Sequence, residues 1–300
     1  MTGLFSLVKR SMKVYFKDKG MFFTSLITPL ILLVLYATFL RNVYESSFTD
    51  ALNEAGVSVS EALINGCVGG QLVSSLLAVS CITVAFCSNM LMVQDKYSGV
   101  GKDIAVSPVK GRTVAFGYYI GAFVSTLLVN LVAAAVCFLY LRSVGWYLSG
   151  ADAAKVLLDI VILVMFGTAL SSIVNCFLST QGQMSAVGTV VSAGYGFICG
   201  AYMPISQFSE GLQKAISFLP GTYGTSLLKN HMLRGVFAEM EDQHFPAEVV
   251  EAIKDSVDCN IYFMDEKVLQ SNMYVCLIAA TAVAVLIYVM INALMRKRTV

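Results

Sequence analysis

Charge, histidine and proline are all scarce in this chain. Of its 300 residues 13% are charged, two are histidine, one is tryptophan and five are proline. A soluble domain carries roughly 25% charged residues, so the deficit argues against a water-soluble fold. His231 and His244 lie outside any HExxH or paired-cysteine spacing, which removes the usual zinc centres. No GxxxxGK[ST] phosphate loop occurs, and Gly99-Val100-Gly101-Lys102 is too short to be one. No serine, histidine and acid form a convincing nucleophilic set, and no internal repeat is evident. A nucleotide-hydrolysing or otherwise catalytic chain is therefore not expected.

Apolar residues fill the space that charge leaves. They make up 57% of the chain, with a mean hydropathy of +0.74. A helix needs roughly 20 apolar residues to cross the hydrocarbon core. Six stretches qualify: 21–40, 71–93, 114–141, 156–178, 184–203 and 273–295. The first is too long for a signal core of roughly 7–15 residues, and no small-x-small cleavage site follows it. The expected fold class is all-α: a polytopic membrane protein with six transmembrane helices in a single transmembrane domain, 1–300.

Basic residues in the connections set the expected orientation. Lys9, Arg10, Lys13, Lys17 and Lys19 precede the first span. Lys96, Lys102, Lys110, Arg112, Arg296, Lys297 and Arg298 fall on the same side. Only Asp18, Asp95 and Asp103 oppose them there. Both termini are therefore expected in the cytoplasm, and the acidic stretch after the fifth span outside. Within the spans Asp159 is the main charge. A mid-bilayer carboxylate costs about 2.5–3.5 kcal/mol, so two readings stand: an interfacial pair with Lys155, or a place on a substrate path.

Residues 1–19 read as an amphipathic helix. Leu4, Phe5, Leu7, Val8, Met12, Tyr15 and Phe16 share one broad face, with Lys9, Arg10, Lys13 and Lys17 opposite. It is an anchor or a lever. Residues 94–112, QDKYSGVGKDIAVSPVKGR, form a basic loop broken by Gly99, Gly101 and Pro108. Ser107 before Pro108 is pushed out of the α region, so a short helix over roughly 94–106 is expected, either docking a partner or simply carrying inside charge. After the fifth span, Pro204 introduces two short stretches, 208–219 and 222–234, joined at Pro220-Gly221 and suited to a re-entrant hairpin. Residues 237–272 are acidic, and Pro246 starts a helix with Val249, Val250, Ile253 and Val257 on one side. Of eight cysteines, Cys81, Cys87, Cys137, Cys176, Cys199 and Cys276 sit in apolar runs and act as small hydrophobes. A disulfide between Cys67 and Cys259 stays open, since sequence fixes no distance.

This order resembles the membrane subunit of an ATP-binding-cassette exporter of the type-2 permease family. The segments DKYSGVGKDIAVSP (95–108) and GAYMPISQFSEGLQKAISFLP (200–220) carry the resemblance. It implies that 96–107 is a coupling helix fitting a separate ATPase subunit, with Asp95, Lys96, Gly99, Lys102, Asp103, Ser107 and Pro108 as coupling residues. Lys96 and Lys102 would meet acids on that partner. Residues 4–17, with Lys9, Arg10, Lys13 and Lys17, would be a connecting helix, and Pro204, Pro220 and Gly221 would shape the hairpin. ATP and magnesium would sit on the partner, and no cofactor on this chain. A second permease copy, identical or related, would complete a pathway lined by the second and fifth spans, where Gly188, Gly194, Gly196 and Gly200 permit close packing. The cargo would be a drug, an antimicrobial peptide, a lipid-linked molecule or a polysaccharide, exported from a bacterial cell across its plasma membrane. An ion-coupled secondary transporter is the alternative, but it usually needs ionisable groups near the midplane. A membrane enzyme would need convergent polar groups there. Neither pattern is present.

Overall fold

A computed structural model describes residues 2–36, 38, 41–42, 45–46, 48–49, 60–198, 200, 202–264 and 266–297. Helix α1 (Thr2–Lys17) meets α2 (Lys19–Leu35) at a 74° bend. The bend falls at Asp18, which leaves the helical region and caps the amide of Met21 at 3.0 Å. Helix α3 (Glu61–Tyr97) opens at Ser60, whose hydroxyl accepts from the amide of Leu63, with Glu61 favourably placed in the first turn. It ends before Gly99, whose φ of 89° only glycine adopts without strain. Helix α4 (Val100–Val106) follows. The short helix expected over 94–106 is thus two pieces, because residues 94–97 complete α3 and the left-handed Gly99 interrupts the rest.

The chain continues through α5 (Gly111–Val144), α6 (Gly150–Phe177) and α7 (Gln181–Ile198). Ser149 and Asp152 form a reciprocal capping box at the start of α6. A 3-10 turn (Ile205–Gln207) and α8 (Glu210–Ser217) lead to α9 (Pro220–Asp242), which begins with proline at its first turn. Helix α10 (Ala247–Ser256), the antiparallel pair β1 (Tyr262–Phe263) and β2 (Glu266–Lys267), and α11 (Gln270–Lys297) complete the described chain.

Among the described residues four helices are long and apolar enough to cross a membrane: α3, α5, α6 and α11. The bent α1–α2 pair would make a fifth. The first expected span is represented by α2; residues 37, 39 and 40 lie outside the described ones. The fifth corresponds to α7, whose 18 residues start with the polar run Gln181, Gly182 and Gln183 and which is not among the four. Helix α9 also departs from expectation. It continues to Asp242, well past residue 234, and Leu227, Leu228, Met232, Leu233 and Val236 are buried along it. The acidic cap therefore starts later than residue 237 suggested.

Helix α3 is the axis of the bundle, with 94% of its most apolar window buried, against 17% for α11 at the periphery. Glycines admit its neighbours: a Cβ on Gly70 would fall 2.6 Å from Leu233 of α9. Tyr147, between α5 and α6, is wedged between two glycines. A Cβ on Gly66 of α3 would meet its ring at 2.6 Å, and one on Gly235 of α9 would meet its carbonyl oxygen at 1.7 Å.

The cap packs Val250 and Ile253 of α10 inward, beside Phe237, Met240 and Phe245. Glu251 bonds Lys267 and Asn260, tying α10 to β2 and the preceding turn. The hydrogen bond from Lys267 holds the Glu251 carboxyl below its ordinary range. A depressed folded-state pKa contributes stability that is complete above the unfolded value of about 4.3 and is lost as pH falls through the folded value. Hydrogen-exchange protection in 247–267, corrected for the intrinsic pH dependence of exchange, should therefore fall below that pH, and E251Q should flatten the dependence. An unchanged acid profile in E251Q would count against this anchoring.

Candidate functional site

The conspicuous polar structure lies where α3 ends. Asp95, in the last turn of α3, is buried and accepts both Arg10 Nη1 and Nη2 at 2.7 Å. It also accepts from the Tyr118 hydroxyl of α5 at 2.6 Å. One carboxylate thus joins α1, α3 and α5 through a bidentate pair. The hydrogen bonds to Asp95 push the Arg10 guanidinium, already strongly basic, higher still. Arg10 was expected on the outward basic face with Lys9, Lys13 and Lys17. The three lysines are exposed, but Arg10 turns inward because Asp95 offers a buried partner.

Glycine sets how closely α1 approaches. A Cβ on Gly117 of α5 would lie 2.9 Å from Leu7, and one on Gly121 would lie 2.6 Å from Ser11. Phe5 and Phe16, placed on the apolar face from sequence, are exposed beside the lysines. Helix α1 therefore has a packed face, an aromatic edge and a basic edge.

Lys96 points away from Asp95. Its Nζ donates to the carbonyls of Asn175, Cys176 and Leu178, at 3.0, 2.6 and 3.0 Å. These carbonyls belong to the last turn of α6 and to its C-cap, Leu178, where carbonyls run short of intrahelical donors; that of Asn175 also accepts the Leu178 amide at 3.3 Å. A cation there also complements the helix dipole. Lys96 is thus engaged inside the chain. Beyond Gly99, α4 projects outward: Lys102, Asp103 and Pro108 are exposed, and Val106 is 86% exposed. Ser107 closes α4 by donating to the Ile104 carbonyl at 2.6 Å and is itself extended before Pro108.

A second polar set lies at the other end of α6. Asp159 is buried, but its partner is not Lys155, which is exposed. The carboxylate is 2.6 Å from His231 Nδ1 of α9 and accepts from the Tyr274 hydroxyl of α11. The interfacial lysine pair is therefore overturned: a helix from the hairpin supplies the counter-group. About two turns closer to the α6 start, Asp152 accepts from Arg234 at 2.8 Å. On the opposite side of α9, Lys229 pairs with Asp258 at 2.9 Å and donates to the Gly200 carbonyl at 3.2 Å. Asp258 also accepts from the Ile205 amide at 2.8 Å. Of the hairpin residues singled out, Pro204 precedes the 3-10 turn, Pro220 starts α9, and Gly221 lies against Tyr195 of α7.

Cys67 and Cys259 are buried as free thiols in one apolar cluster. Among the described residues, no three His, Cys, Asp or Glu side chains gather as a metal would require. Tyr118, Tyr274 and Lys229 were not singled out from sequence. Nothing in their local pattern marks a partner that lies 23, 115 or 29 residues away.

The model of the ABC-2 type transporter family matches residues 2–233, from α1 into α9. The chain belongs to the ABC-2 type transporter family. The match contains both the Asp95–Arg10 junction and the α9 helix that carries His231. No curated protein matches the chain. As an ABC-2 permease it is a transport subunit rather than an enzyme, and ABC transporters of this kind work with an ATPase partner.

Proposed function

We propose that this chain is the membrane permease of an ATP-driven exporter, with both termini in the cytoplasm and α4 as the helix that docks on a separate ATPase subunit. One observation carries the reading. Helix α4 stands out from the bundle with Lys102, Asp103 and Val106 exposed, yet its base is fixed to four helices through Asp95 and Lys96. Such a handle can be pushed without being bent.

Six membrane passes fit this role, with α2 and α7 added to the four helices that are long and apolar enough to cross. Helix α8 and the first part of α9, joined at Pro220-Gly221, then form a re-entrant hairpin. Gly224 of α9 meets Leu163, 13 positions along α6 and hence about 20 Å from its start. A second permease copy would pack on α7, where Gly182, Ala186, Thr189 and Ala193 are exposed and small residues allow close helix approach. Helix α3 is enclosed within one copy, so only α7 of the two expected pathway helices presents a face. Spans almost free of charge suit a hydrophobic or amphiphilic cargo. ATP and magnesium would be held by the partner.

The test is co-purification from native membranes in mild detergent, followed by transport in vesicles. An ATPase should accompany the wild-type chain, and K102E with V106R should release it while the permease stays monodisperse. ATP-independent transport with no associated ATPase would overturn the proposal in favour of an ion-coupled carrier.

A further inference from the structure

We infer that α6 is a transmission rod that carries displacement from the α4 junction to the α8–α9 hairpin at the far end of the bundle. This rests on the permease reading above. Both ends of α6 are gripped by side chains from other elements. At its C-terminus Lys96, three residues before Gly99 and α4, holds the carbonyls of Asn175, Cys176 and Leu178, which close the last turn. Near its N-terminus Asp159 and Asp152 hold His231 and Arg234 of α9. The residues between are fixed rather than loose. Gly167 lets Ile82 of α3 approach to within 2.7 Å of where a Cβ would stand. Asn89 of α3 donates to Ser171 and Ser172 at 3.0 and 2.6 Å.

The helix is continuous over its 28 residues, which span about 42 Å. It contains no proline and ends in a bonded grip on either side, so an axial shift at one end cannot be absorbed by a kink. The output end is equally firm. Helix α9 is fixed to Gly200 and Asp258 through Lys229, and Asp258 holds the Ile205 amide, so moving α9 moves the segment that leads into α8. Lys96 is accordingly a positioning residue for α6 and not a contact to the ATPase.

The two grips act in series, which gives a specific test. Sites more than about 10 Å apart normally contribute additively. Lys96 and His231 act on α6 carbonyls and carboxylates separated by about 24 Å, from Asp159 to Asn175. Wild type, K96M, H231L and K96M/H231L would be compared as intact permease–ATPase complexes in nanodiscs. The readouts are transport per ATP hydrolysed and hydrogen exchange of 205–219 with and without ATP and vanadate. Each single variant should lower the transport-to-hydrolysis ratio about 2–30-fold, abolish the nucleotide response of 205–219, and keep the ATPase bound. The double variant should be no worse than the stronger single one, and K96R should restore coupling.

Multiplying losses in the double variant, or a nucleotide response of 205–219 that persists in K96M, would overturn the rod. A loss of ATPase binding in K96M would also overturn it, because Lys96 would then be a partner contact. A wild-type complex without ATP-coupled transport would instead sink the permease reading itself. D159N supplies a milder cut at the same grip if H231L is poorly folded.

Discussion

Arg10→Met is expected to destabilise the protein more than Asp95→Ala, although both break the same ion pair. The asymmetry follows from burial: the Arg10 side chain is 33% exposed and that of Asp95 4%. Without Asp95, the guanidinium can turn toward water. Without Arg10, a buried carboxylate keeps only the Tyr118 hydroxyl. Removing one member of a buried pair costs about 3–5 kcal/mol. Arg10→Met should fall within that range, and Asp95→Ala near or below its lower end. Replacing both, as R10M/D95L, should recover most of the loss, since no charge is then stranded. Denaturant titration in micelles reads the order directly, and equal losses would refute the argument. Both single variants also release α1 from α3, so ATP-coupled transport should drop even where the fold survives.

Gly235→Ala is the second large effect. The added methyl would meet the Tyr147 carbonyl oxygen at 1.7 Å, and a backbone atom cannot rotate aside. Helix α9 must shift from the α5–α6 connection, with an overpacking cost of roughly 1–3 kcal/mol or more. Gly211→Ala provides the control, because no atom lies within 4 Å of its Cβ position in α8. There the substitution should be neutral or stabilise by about 0.4–1 kcal/mol. The thermal midpoint of Gly235→Ala should fall several degrees below that of Gly211→Ala. Indistinguishable midpoints would mean that Tyr147 is not wedged as described.

Much of the architecture was legible because membrane helices announce themselves by length and apolarity. Helices α3, α5, α6 and α11 lie over the expected runs for that reason. The break at Gly99 fell inside the single helix expected over 94–106, whereas the end of α4 at Ser107-Pro108 was legible too, since proline acts locally. Partner choice was not. Asp159 has a lysine four residues away on its own helix, yet it bonds His231 from an element 72 residues later. Local spacing favours the i,i+4 pair only when both groups face water. Burial removed that option, leaving His231 and Tyr274 to satisfy the carboxylate. Arg10 departed for the same reason: helical periodicity places a residue on a face but does not say which face another helix will cover. The length of α9 was missed because its mean composition is polar, while Lys229, His231 and Arg234 all find acidic partners.

The inward turn of Arg10 has a consequence in time. The chain is made from its N-terminus, and Asp95 follows Arg10 by 85 residues. At roughly 5–20 residues per second, α1 waits about 4–17 s for the carboxylate that will hold it. Gly117 and Gly121, against which it finally packs, arrive later still. During that interval α1 has no docking site, and its exposed phenylalanines and lysines suit it to rest at a lipid surface. The same side chains that look peripheral in the finished bundle thus shelter an unfinished one.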